Sequence, residues 1–230
     1  MATSCYEAVN LAEIKAEYME MLQTSASLES IDEIGEFLDL HLGRFETTYA
    51  DQMLIAFEDY VFAFDRYRPN YREFLERYGD YISSALASLY EIKAEEQENP
   101  AVIDNTLQMT WAELAGRALE LELFIRKTNN LTVQEEAVDI FENYIRLMFM
   151  GVGDMPIFDS DGIFNENARS TYAEFDIFFP DTTVAEVLRE YMYFLASIDF
   201  QIDFENIEET IAFSDMCSRL VLEAGKRVFR

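Results

Sequence analysis

Glycine and proline are scarce, with 8 and 4 in 230 residues. Folds built from many short strands need frequent turn residues, so this scarcity disfavours an all-β chain and favours helices. Histidine occurs once, as His41, which excludes two-histidine metal motifs and the paired Glu-x-x-His sites of di-iron bundles. The two cysteines, Cys5 and Cys217, are too few for a disulfide framework and are expected to be reduced, partly buried thiols of a cytoplasmic protein. Apolar runs fall far short of the ~20 residues of a membrane span. The opening stretch MATSCYEAVNLAEIKAEY has no basic, then uninterrupted apolar, signal pattern. Nothing around His41 matches a nucleophile elbow, and Gly151-Val152-Gly153 lacks the rest of any phosphate-binding fingerprint. Asp159-Ser160-Asp161-Gly162 starts like a calcium loop, but with Gly162 at position six, position twelve is Ala168 instead of Glu. No cofactor is expected, and the chain is read as non-enzymatic.

Base is the other scarcity. The chain holds 17 Lys+Arg against 45 Asp+Glu, a formal charge of −28. Half of the residues are hydrophobic and 14% are aromatic, so a core is affordable and the charge does not imply disorder. Direct binding to nucleic acid or to an anionic membrane is disfavoured, because phosphates repel the chain. The excess is uneven. Residues 1–66 have 14 acids and 3 bases, residues 67–130 have 11 and 7, and residues 153–215 have 15 and 2.

Apolar residues recur at helical spacing along most of the chain. Helices are expected over about 5–23, from Ser30 on, over about 48–67, from Pro69 past Ile92, over about 107–128, from Thr132 to about 150, after Thr171, over about 184–198 and over about 204–228. The apolar stripes include Met53/Phe57/Tyr60/Val61/Phe64, Val133/Ala137/Ile140/Phe141/Tyr144/Met148 and Ile207/Ile211/Cys217/Leu220/Ala224/Val228. Ser4/Glu7, Ser30/Glu33, Thr132/Glu135, Thr171/Glu174 and Thr183/Glu186 have capping-box spacing. The expectation is an all-α, irregular bundle of about eight or nine helices with no regular solenoid repeat. Residues 1–150 are read as an N-terminal bundle. Residues 151–230 are read as a C-terminal helical part, packed on it or separate, after a long loop over 151–167.

Several acids share helix faces. Asp51, Glu58 and Asp65 are seven apart, and Glu13/Glu17/Glu20 and Glu29/Glu33/Glu36 form similar rows. Carboxylates spaced by about one helical turn, ~5.4 Å, mimic in spacing the phosphates of a nucleic-acid strand. Some acids have a local reason in the helix dipole. The stretch 198–209 interleaves Asp199, Asp203, Glu205, Glu208 and Glu209 with Phe200 and Phe204. Such a mixture suits a basic, apolar-rimmed partner, although Phe200 and Phe204 themselves are expected in the core. In contrast, Glu113/Arg117 and Glu122/Arg126 read as ordinary i,i+4 surface pairs.

The favoured reading is an acidic helical binding protein, an inhibitor by nucleic-acid mimicry, that presents Asp51, Glu58, Asp65, Asp199, Asp203, Glu205, Glu208 and Glu209 to a basic, nucleic-acid-binding protein. One alternative is an acidic scaffold, chaperone or immunity-type protein. A second rests on Glu17-x-x-Glu20 and Glu33-x-x-Glu36 on consecutive helices. This layout, over about 20 residues, resembles the all-α nucleotide pyrophosphatases of the MazG type, which have Asp where Glu36 stands. The resemblance implies a Mg²⁺ site made by these four glutamates.

Overall fold

The computed structural model describes the chain except Met1, Ser25, Ala26, Leu28, Asp65, Arg66, Asp154 and Arg230, and gives only backbone for residues 2–9. The fold is all-α: ten α-helices and two very short antiparallel hairpins are formed among the described residues. The chain divides into two compact units, Met1–Glu98 and Asn99–Arg230. The stretch 151–167 does not interrupt the packing: the two helices that precede it bury their apolar faces against the three that follow it.

The first unit contains α1 (Ala2–Thr24), α2 (Glu29–His41), a 3₁₀ turn (Leu42–Arg44), α3 (Thr47–Phe62), α4 (Tyr71–Tyr78) and α5 (Ser84–Glu98). Its core gathers Tyr18, Ile34, Leu38, Leu54, Phe57, Leu86 and Leu89. Phe57, Tyr71, Phe74, Tyr78 and Tyr90 add a chain of ring contacts at 5.4–6.3 Å between centroids. Two of the tyrosine hydroxyls are satisfied inside: Tyr18 donates to the Met53 carbonyl at 2.5 Å and Tyr71 to Glu58 at 2.6 Å. The single helix expected after Pro69 is two, α4 and α5. Gly79 closes the first, and the Ser83 hydroxyl accepts Leu86 N–H at 3.1 Å to start the second.

The second unit begins with β1 (Val102–Ile103) and β2 (Thr106–Leu107), paired antiparallel. Asp104 and Asn105 between them take φ of 48° and 64°, the left-handed pair a two-residue hairpin turn requires. There follow α6 (Trp111–Lys127), α7 (Leu131–Met150), the hairpin β3 (Gly151–Val152) and β4 (Met155–Pro156), α8 (Glu166–Phe178), α9 (Thr183–Ser197) and α10 (Ile207–Arg227). Helix α7 packs between α6 and α10, while α8 and α9 lie against each other and against α6. Of the six residues on the stripe of α7, five are buried and Ile140 is half-buried. Tyr172 and Tyr191 donate to the Met148 and Phe149 carbonyls, both at 2.6 Å. They thereby satisfy acceptors of the last turn of α7, which has no further helix to supply donors. Cys217 is a free, buried thiol whose pKa burial pushes up to about 12; the Cys5 side chain lies outside the described residues.

The helix starts are capped differently from the Ser/Thr expectation. Asn70, Asn130, Asn165 and Asn206 cap α4, α7, α8 and α10 with their side-chain oxygens. Thr182, one residue before Thr183, caps α9. Thr171 lies inside α8. A full capping box, Thr110/Glu113, opens α6. There, hydrogen bonds from the Thr110 backbone N–H and hydroxyl hold the Glu113 carboxyl below its ordinary range. Asparagine does the same work as Ser or Thr at this position. Among the described residues no helix is long and apolar enough to cross a membrane.

Candidate partner-binding surface

The structure separates the sequence-predicted acids into two groups. Asp51 and Glu58 belong to the interior of the first unit, each only 2% exposed. Their heptad spacing does place them on one face of α3, as expected, but that face is turned towards α4 and α5. Asp51 accepts the Ser83 backbone N–H at 2.8 Å. Glu58 accepts the Tyr71 hydroxyl at 2.6 Å and the Lys93 ammonium at 2.5 Å. The Lys93 ammonium in turn lies 5.4 and 5.8 Å from the centres of the Tyr71 and Tyr90 rings. The expectation that this row faces a partner is thus corrected for Asp51 and Glu58; a buried carboxylate persists only with such donors around it. Asp65 lies outside the described residues.

The four glutamates of the pyrophosphatase layout do not converge. Glu17, Glu20, Glu33 and Glu36 are each exposed on α1 and α2. Among the described residues no group of three or more acidic, histidine or cysteine side chains is placed to hold a metal ion. Shared spacing within each helix puts each pair on a common face without turning the two faces towards each other. His41 is half-buried, with its ring against Phe37 at 4.6 Å.

The remaining predicted acids come together in the second unit. The chain leaves α9 through two consecutive left-handed residues, Asp199 and Phe200, with φ of 53° and 57°. Phe200 N–H returns to the Leu195 carbonyl at 2.8 Å, and the Arg169 guanidinium sits 3.8 Å from the centre of the Phe200 ring. The next residues meet the turn after β4. Phe164 N–H donates to the Phe200 carbonyl, and Ile202 N–H donates to the Gly162 carbonyl, both at 2.9 Å. Gly162 has φ of 72°, and a Cβ there would lie 1.9 Å from the Ile202 oxygen. Only glycine permits that approach. On the other side of the turn, Asp159 Oδ1 accepts Asp161 N–H and Ile163 N–H, both at 2.9 Å.

Beyond Ile202 the chain enters α10. The Asn206 side chain accepts Glu208 N–H at 3.1 Å and Glu209 N–H at 3.5 Å. Glu209 reaches back, accepting Asp203 N–H at 3.1 Å and Asn206 Nδ2–H at 2.8 Å. Asp203 accepts Glu205 N–H at 2.9 Å. The two segments enclose an open pocket of about 580 Å³ whose lining includes Asp161, Asp199, Asp203, Glu205 and Glu209 and no Lys, Arg or His. Glu208 is exposed beside it on the first turn of α10. Phe204, expected in the core, is half outside: its ring touches Phe158 edge-on at 5.8 Å, yet 50% of the residue is exposed.

Sequence reasoning missed Asp161, which it weighed only as a calcium-loop residue. Its place at the pocket depends on the contacts of Gly162 with Ile202, a long-range pairing that local spacing does not announce. Some acids elsewhere in this unit are paired with arginine. Asp176 binds Arg189 at 2.5 Å, and Arg227 binds Glu190 at 2.6 Å and also contacts Glu223. From residue 190 to residue 218 there are seven acids and no Lys or Arg. Comparison with protein-family models, with curated proteins and with solved structures gives no match.

Proposed function

We propose that the chain is a non-enzymatic acidic binding protein whose second unit presents the carboxylates around Asp199–Glu209 to a basic partner, the nucleic-acid-binding surface of another protein. Occupying that surface makes it an inhibitor by mimicry of a nucleic acid. The observation that carries this reading is the five-carboxylate pocket without a cationic lining residue. Clustered like charge costs stability when no cation balances it. Five carboxylates gathered with no cation in the lining therefore support an external one. The field of such a cluster steers a basic protein into encounter, and local turns such as Asp203–Asn206–Glu209 hold the carboxylates in place beforehand. The buried free thiol of Cys217 supports a reducing, cytoplasmic setting.

The test is competition. A basic DNA- or RNA-binding protein recovered with the chain from its host is loaded with labelled nucleic acid, and the chain is titrated in. Displacement at low salt that weakens steeply as salt rises supports the reading. A partner that binds the chain and its nucleic acid together contradicts mimicry.

A further inference from the structure

We propose that the element of the partner that seats on this face is a basic amphipathic helix. Its apolar side chains cover Phe204, Ile207 and Ile211, and its lysines or arginines reach the carboxylates around them. This inference rests on the reading above that the second unit meets a basic protein, and it goes on to name the contacting structure.

The apolar component is plain. Ile207 is 73% exposed and Ile211 54%, one helical turn apart on α10, and the half-exposed Phe204 stands just ahead of them. The opposite face of α10 is occupied by Phe213, Met216, Cys217 and Leu220, all buried. The outward isoleucines are therefore surplus to the core. Two isoleucines one helical turn apart, with Phe204 in the turn ahead of them, match the i, i+3/i+4 side chains of another helix laid across them. Phe204 is held edge-on against Phe158, so it meets a partner with little further loss of side-chain freedom.

Charge decides what kind of helix. Asp203, Glu205, Glu208 and Glu209 surround the row at its start, and Asp215 follows one turn after Ile211, with no base in 190–218. A second copy of this chain brings the same −28 and the same acids, so like meets like. An anionic lipid surface is repelled for the same reason. A polycation with no apolar face satisfies the carboxylates and leaves both isoleucines in water. An apolar stripe flanked by lysine or arginine satisfies both parts of the surface.

Two synthetic probes test this, a leucine–lysine peptide in amphipathic helical order and a serine–lysine peptide of equal length and charge. Each is titrated by fluorescence anisotropy into the chain, into Ile207→Gln/Ile211→Gln and into Glu205→Gln/Glu208→Gln, with circular dichroism confirming that each variant folds. The expected result is that the leucine–lysine peptide binds tighter than the serine–lysine one. It should lose about tenfold or more in affinity against the isoleucine variant, whereas the serine–lysine peptide is unchanged by it. Both peptides weaken against the glutamate variant. Equal binding of the two peptides, or indifference of the leucine–lysine peptide to the isoleucine variant, overturns the inference and leaves the basic-partner reading standing. Failure of both peptides to bind at low salt overturns both. Self-association in sedimentation that Ile207→Gln/Ile211→Gln abolishes assigns the face to a second copy and also overturns the inference.

Discussion

The carboxylate of Glu122 on α6 accepts the backbone N–H of Thr183 at 2.7 Å, sixty-one positions along the chain. Its other oxygen accepts Val184 N–H at 3.0 Å, and Arg126 lies 2.8 Å away. Glu122 is only 1% exposed. An acid that looks like half of a surface ion pair is thus the acceptor for the first N–H groups of α9, where the helix dipole also favours negative charge.

Removing that carboxylate leaves two buried N–H groups without their acceptor. Glu122→Ala is expected to cost the second unit about 2–4 kcal/mol, and Glu122→Gln, which keeps one acceptor oxygen, is expected to cost less. Denaturant unfolding of the two variants measures this. A loss below 1 kcal/mol, the size expected of an exposed pair, would contradict the assignment.

Glu58 and Lys93 should behave as a buried pair. Glu58→Ala takes the carboxylate from beside the buried ammonium and is expected to destabilise the first unit by about 3–5 kcal/mol. The joint change Glu58→Leu with Lys93→Met should cost clearly less than the sum of the two single changes. A double-mutant cycle in urea reads the coupling; additive losses would show that the two side chains act independently.

Gly162→Ala probes the frame of the acidic pocket. At φ of 72°, with the Ile202 oxygen 1.9 Å from the added carbon, the substitution forces the turn away from 199–202. Backbone strain alone costs about 1–3 kcal/mol. The Ile202 amide, which donates to the Gly162 carbonyl, should exchange faster with deuterium while the α7 amides keep their protection.

The Glu113 capping box carries a pH dependence. The Thr110 donors lower the Glu113 pKa in the folded state, so the folded protein favours the charged form. The resulting stability is present above the ordinary glutamate range and is lost as pH falls through the lowered folded value. Glu113→Ala should therefore be less stable than the parent at neutral pH, with the gap narrowing below about pH 4. A gap that does not change with pH would mean that the carboxylate charge is not what the cap uses.

The helical fold was legible because burial and periodicity largely coincide along α3 and α7, where Phe57 and Phe141 lie on the apolar stripes; on α10 Leu220 is buried, whereas Ile207 and Ile211 of the same stripe are exposed. What spacing does not reveal is which face of a helix its neighbours cover. Asp51 and Glu58 share a face with Phe57's neighbours on α3, and α4 and α5 close over them with Ser83, Tyr71 and Lys93 as donors. The cluster at 199–209 was legible for the opposite reason: its acids are close in sequence, and a turn followed by a helix start keeps them at the surface. Asp161 joins them only through tertiary pairing. The packing of α6 and α7 on α8–α10 is a long-range choice of the same kind.

The central claim is that the carboxylates of 199–209 are the contact with a basic partner. It is tested most directly by the salt dependence of partner affinity for the chain and for Asp199→Asn/Asp203→Asn/Glu205→Gln/Glu208→Gln. These near-isosteric changes keep side-chain acceptors such as the one Asp203 offers Glu205 N–H. The account predicts an affinity that falls steeply with salt for the chain. For the variant it predicts a loss of about tenfold or more at low salt together with a flatter salt slope. Equal affinity and an equal slope for the two proteins would contradict it.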